Sequence, residues 1–177
     1  MADTLLARRL LLPLLLASAL PACGFTPIYA SAGPGDGPAQ EGLAAISVGL
    51  LPERSGQLLR QALQARFALG GSGVARRYDL TVAYGLSGEA VGYQQDSTIT
   101  RVRLVASAIW TLTAQDPQRT TLSTGTARTL DGYNIINQQF FAADMENDAT
   151  QRRLAIAMAD QIAIQLAVYF KRRSTAA

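Results

Sequence analysis

Histidine is absent from this chain of 177 residues, and cysteine and lysine occur once each, as Cys23 and Lys171. Without histidine, Ser-His-Asp and Cys-His nucleophile systems are excluded, and so are the usual ligand sets for zinc. No Gly-x-x-x-x-Gly-Lys phosphate loop is present, because the lone lysine stands near the C-terminus. Catalysis by carboxylates alone remains open, and a protein without enzymatic activity, cofactor or metal is the expectation. Charge is sparse as well: 16 cationic and 13 anionic residues give a net +3. That is far from the dense positive field of a nucleic-acid binder, and no nucleic-acid partner is expected.

The single cysteine has a telling position. Arg8 and Arg9 precede an apolar run from Leu10 to Leu16, broken only by Pro13, and the small residues Ala17, Ser18 and Ala19 follow. The run is too short for a hydrocarbon core that needs ~20 apolar residues. A basic flank, a short apolar core and small residues describe a secretory signal peptide over residues 1–22. Its end, Leu20-Pro21-Ala22-Cys23, resembles the bacterial lipobox, with Pro21 an unusual residue at its place. The resemblance implies cleavage between Ala22 and Cys23 and acylation of Cys23. One acyl chain holds a membrane only marginally, whereas two or three anchor stably at ~0.8 kcal/mol per buried CH₂. Gly24 stands where an aspartate would favour retention at the inner membrane, so the implied destination is the outer membrane, on its periplasmic face.

Loss of the leader leaves 155 residues with 14 cationic and 12 anionic side chains, enough for one domain with a substantial core. Residues 23–42, which include "SAGPGDGPAQEG", form a tether by composition. A single domain is expected over 43–173, with 174–177 as a tail. "LAAISVGLL" (Leu43 to Leu51) predicts a buried strand ended by Pro52. Leu59, Leu63 and Phe67 step by four along one face of a helix, with Ser55 as a cap and Gly70, Gly71 and Gly73 as a stop. Period-two alternation then takes over. Tyr78, Leu80, Val82, Tyr84 and Leu86 share one strand face, and Val102, Leu104, Ala106, Ala108, Trp110 and Leu112 share another. Asp116 to Arg119 is a turn, and a Thr-rich strand returns from it.

The period changes back near the C-terminus, where Leu154, Met158, Ile162, Leu166 and Tyr169 mark a long helix. Asp144, Glu146 and Asp148 are placed at its start and Lys171, Arg172 and Arg173 at its end, an order that complements the helix dipole. Asp160, Gln161 and Gln165 argue against a membrane span. The predicted architecture is α+β in the order β-α-β-β-β-α, with two helices on one face of a four-stranded, mostly antiparallel sheet. Its other face is partly polar.

On that polar face Arg101 and Arg103 lie two residues, about 7 Å, apart. Arg128 joins them if the register of the next strand allows. Clustered guanidinium groups suit phosphate recognition, and they equally suit a solvated face that resists edge aggregation. Arg76 and Arg77 form a weaker basic pair at a strand entrance. Tyr93, Tyr133, Phe140 and Phe141 are candidate interface anchors or core residues.

The ordered series "CGFTPIY", "ERSGQLLRQALQARF", "YDLTV", "STITRVRLVASAIWTL", "GYNIINQQFFA" and "DATQRRLAIAMADQIAIQLAVYF" resembles the alphaproteobacterial branch of the LptE family. These are lipopolysaccharide-assembly lipoproteins, and the resemblance covers nearly the whole chain after Cys23 except the tether. It implies a lipid-anchored plug in the lumen of an LptD-type outer-membrane β-barrel, supporting barrel assembly and lipopolysaccharide delivery to the outer leaflet. Lipopolysaccharide phosphates would then be ligands for Arg101, Arg103 and Arg128. Three other readings share parts of this pattern: an auxiliary lipoprotein of an ABC lipid transporter, a pilotin-like chaperone lipoprotein, and a carboxylate enzyme built on Asp79 and Glu89.

Overall fold

The computed structural model describes residues 37–68, 73–135 and 140–175. The leader, Ala22, Cys23, the first part of the tether and Gly70-Gly71 lie outside these residues. In chain order the elements are α1 (Pro38–Ala44), β1 (Ile46–Val48), α2 (Glu53–Ala68), β2 (Tyr78–Tyr93), β3 (Ile99–Ala114), β4 (Thr121–Asn134) and α3 (Phe140–Thr175). One sheet holds all four strands in the order β1-β2-β3-β4. β1 runs parallel to β2, and the other two pairings are antiparallel.

The expected α+β arrangement is present, with three local differences. Pro38–Ala44, assigned by composition partly to the tether and partly to the first strand, is a helix. Gly37 precedes it and Pro38 occupies its first turn, where a missing N–H costs nothing. Its Ala39 and Leu43 are buried, and Gly42 lies so close to the Phe170 ring that no Cβ fits there. The first strand shrinks accordingly to Ile46–Val48. The second helix begins at Glu53, so Ser55 sits inside its first turn and does not cap it. The third difference is at the last helix, which begins at Phe140 and takes Asp144, Glu146 and Asp148 into its second and third turns.

Alternation decides which face of the sheet is covered. Leu80 and Val82 of β2 and Leu104, Ala106, Ala108, Trp110 and Leu112 of β3 are buried beneath the helices. Leu59, Leu63 and Phe67 of α2 join them in one core, as the spacing of four requires. α3 is long and apolar enough to cross a bilayer, yet Leu154, Met158, Ile162 and Leu166 are wholly buried in this core. Each such side chain contributes roughly 1.5–3 kcal/mol when removed from water.

The two long helices run parallel, because β1-α2-β2 is a crossover unit and β4 points the same way as β2 before α3 turns back. Their exposed sides are joined twice at the same sequence offset. Arg54 donates to Asp148 at 2.8 Å, and Arg66 forks onto both carboxylate oxygens of Asp160. At the seam between α3 and the sheet, Gln165 accepts from Trp110 Nε1 at 2.9 Å and donates to the Thr126 carbonyl at 3.0 Å. Gly125 makes room for the Trp110 indole and Gln165, and a Cβ there would overlap both.

Candidate interaction surface

The face of the sheet away from the helices has no layer over it among the described residues. Its side chains come from alternate positions of β2, β3 and β4, and most are small or polar: Thr81, Gly85, Ser87, Ser107, Thr124 and Thr126. At one end, Asp79 accepts from Gln115 Nε2 at 2.7 Å and Arg119 Nη2 at 3.0 Å, tying β2 to the β3–β4 turn. Within that turn Asp116 accepts from the backbone N–H and the hydroxyl of Thr120, at 2.9 Å each. These bonds, the backbone N–H first, hold the Asp116 carboxyl below its ordinary range. At the other end, the β2–β3 hairpin closes with Asp96 accepting from the Thr98 N–H at 3.0 Å.

Arg101 and Arg103 do project together on this face, near the hairpin end of β3, and both are exposed. Arg103 stands directly across from Glu89, and their charged groups come within 3.9 Å. Arg101 has no ion pair among the described residues. Arg128 is on the same face but does not join them. It sits opposite Ser107, four positions along β3 from Arg103, which is ~13 Å at strand rise. The arginines therefore form a close pair and one outlier along an exposed ribbon.

Asp79 and Glu89 stand ten residues apart on one strand, ~33 Å at strand rise, so they form no acid pair. Asp144 and Glu146 are exposed on α3, and Asp148 is engaged by Arg54. Arg76 and Arg77 also have partners. Arg76 Nη1 donates to the carbonyls of Ala44 and Ile46 at 2.6 and 2.7 Å, and Arg77 pairs with Glu41 at 3.1 Å. Of the aromatic candidates, Tyr93 and Phe141 are largely exposed, the latter at 80%, while Tyr133 packs against the core.

Sequence reasoning missed an apolar element within the polar face. Val105 lies directly across from Leu130, and Ile109 follows four residues along β3. Leu130 and Ile109 are 61% and 62% exposed. Alternation alone places Val105 and Ile109 on the arginine face, so the signal was available; the pairing of Val105 with Leu130 needed the register.

Comparison with known proteins gives this arrangement a family. The family model described as "LptE: Lipopolysaccharide-assembly" matches residues 43–166. Among solved structures, a candidate lipoprotein from Caulobacter crescentus CB15 superposes with a TM-score of 0.58 at 25% identity, over 75% of this chain and 96% of its own. The rare lipoprotein B of Shewanella oneidensis gives 0.53 at 13% identity, over 73% and 96%. A minor lipoprotein of Acinetobacter baumannii gives 0.50 at 17%, over 70% and 90%. Curated proteins yield no match. The family model spans well over half of the chain and the two-layer fold agrees with it: this chain belongs to the LptE lipopolysaccharide-assembly family.

Proposed function

We propose that this LptE-family chain is anchored by an acylated Cys23 to the periplasmic face of the outer membrane. There it seats in the lumen of an LptD-type β-barrel, supports assembly of that barrel and aids delivery of lipopolysaccharide to the outer leaflet. The observation that carries the reading is the one-sided sheet. Its helices bury one face, and its other face offers hydroxyls, glycines and arginines over strands of 14 to 16 residues. A barrel lumen is polar, and a plug inside it needs a polar surface of this kind. Arg101 and Arg103 are the residues we assign to lipopolysaccharide phosphates, with Arg128 as a separate outlying contact. The higher identity to the Caulobacter structure than to the Shewanella and Acinetobacter ones supports the alphaproteobacterial assignment.

The test is a pull-down from outer membranes in mild detergent, with a tag after Ala177 and mass spectrometry of the partners. A large β-barrel at equal stoichiometry is expected, and Arg101→Glu with Arg103→Glu should reduce its recovery. ABC-transporter subunits or a secretin in its place would overturn the reading. Cys23→Ala should free the folded domain from the membrane. If that variant remains membrane-bound in cells lacking the barrel, the anchor assignment fails.

A further inference from the structure

The edge strand β1 borders a small cavity with two arginines in its lining. All three residues of β1, together with Arg60, Gln64, Phe67 and Arg76, line a cavity of about 120 Å³. Arg60 and Arg76 thus border one small space, and no acidic side chain is among these lining residues. Of the acids flanking β1 in sequence or register, Glu41 is engaged by Arg77, and Asp79 by Gln115 and Arg119.

Both arginines keep unpaired donors. Arg76 is fixed by the two bonds from its Nη1 to Ala44 and Ile46, which leaves Nε and Nη2 without a hydrogen bond among the described residues. Arg60 Nε is buried and has no acceptor. A buried donor on a charged group without a partner is rare in folded proteins, and a bound water or ion is one of the reasons for one. The strand edge adds to the donor set. Ala45 accepts from Tyr78 N–H and Gly49 donates to the Leu80 carbonyl. Alternation along a parallel ladder then turns Ile46 and Val48 toward the free edge, as the Ile46 bond to Arg76 requires.

We infer that this cavity binds a single phosphate group between Arg60 and Arg76. Guanidinium forks match phosphate oxygens two at a time, and they approach here from a helix and from the segment before β2. The size agrees: a cavity of about 150 Å³ accepts benzene, with six heavy atoms, and phosphate has five. The assignment is independent of the barrel reading, because Arg60 and Arg76 lie off the open sheet face and its readout is binding of the anion itself.

The experiment titrates inorganic phosphate into the full-length protein in detergent micelles, at constant ionic strength set with chloride, followed by calorimetry. Binding that saturates at one equivalent is expected. Arg60→Met should weaken it at least tenfold, while the bonds of Arg76 to the backbone stay in place. Arg60→Lys, which keeps the charge and loses the fork, should give an intermediate loss and serves if the methionine variant misfolds. Competition identifies the source of the phosphate. Displacement by phosphatidic acid but not phosphatidylcholine assigns a lipid headgroup, and displacement by glucose 6-phosphate alone assigns a soluble phosphate ester. Absence of saturation, or equal binding by the parent and both Arg60 variants, overturns the inference.

Discussion

Within β3 the two faces of one strand follow opposite rules. Leu104, Ala106, Ala108, Trp110 and Leu112 are buried, whereas Arg101, Arg103, Ser107 and Ile109, interleaved with them, are exposed. A slip of one residue would exchange the two sets completely. The inner face has helices to satisfy and tolerates little variation in volume. The outer face is free of that demand, so its composition can serve a partner. The difference puts the packed core on one side of a sheet one residue thick and an exposed, mostly polar surface on the other.

Adjacent positions give the sharpest way to break this contrast. Trp110→Ala should cost ~3–5 kcal/mol by cavity formation, and it also leaves Gln165 without its indole donor. Ile109→Ala, one residue away and facing out, should stay within about 0.5 kcal/mol of the parent. Urea denaturation of both measures the gap, and similar losses would mean that the outer face is also load-carrying packing.

A smaller effect probes how α3 grips the sheet edge. In Gly125→Ala the new methyl meets the Trp110 ring and Gln165 together, at a seam with no slack. Destabilisation of ~1–3 kcal/mol is expected from overpacking, read as a lower midpoint in the same denaturation series. Stability equal to the parent would show that the indole and Gln165 can shift without penalty.

The mildest test concerns the polar turn. Because the Asp116 carboxyl is held below its ordinary range by Thr120, its contribution is present above the unfolded-state pKa and is lost as pH falls through the depressed folded value. Asp116→Asn should therefore flatten the acid side of the stability–pH profile slightly and leave the neutral side nearly parallel. A profile unchanged on the acid side would remove Asp116 from the accounting.

How far the sequence carried depends on the range of the contacts involved. Leu59, Leu63 and Phe67 announce their helix, and the period-two runs announce β2 and β3, because one buried face imposes one repeat. α1 was obscured because Gly, Pro and Ala dominate its surroundings, and its reason to be helical is a distant one, Phe170 against Gly42. The register that separates Arg128 from Arg103 and brings Glu89 to Arg103 is likewise a matter of pairing between strands. So is the placement of Arg60 and Arg76, from different elements, beside one cavity at β1. Each of these depends on where the chain returns after a turn, and no local period encodes that.

The parallel course of α2 and α3 also constrains the order of events in folding. The core that α1, α2 and the sheet require is completed by Leu154 to Phe170, the last quarter of the chain. Contacts of such long sequence separation form late and slowly. A chain threaded through a membrane N-terminus first would have no finished core to obstruct passage until its final helix had crossed. Folding would then be timed by arrival of α3, and truncation before Leu154 would leave the earlier elements without the surface they pack on.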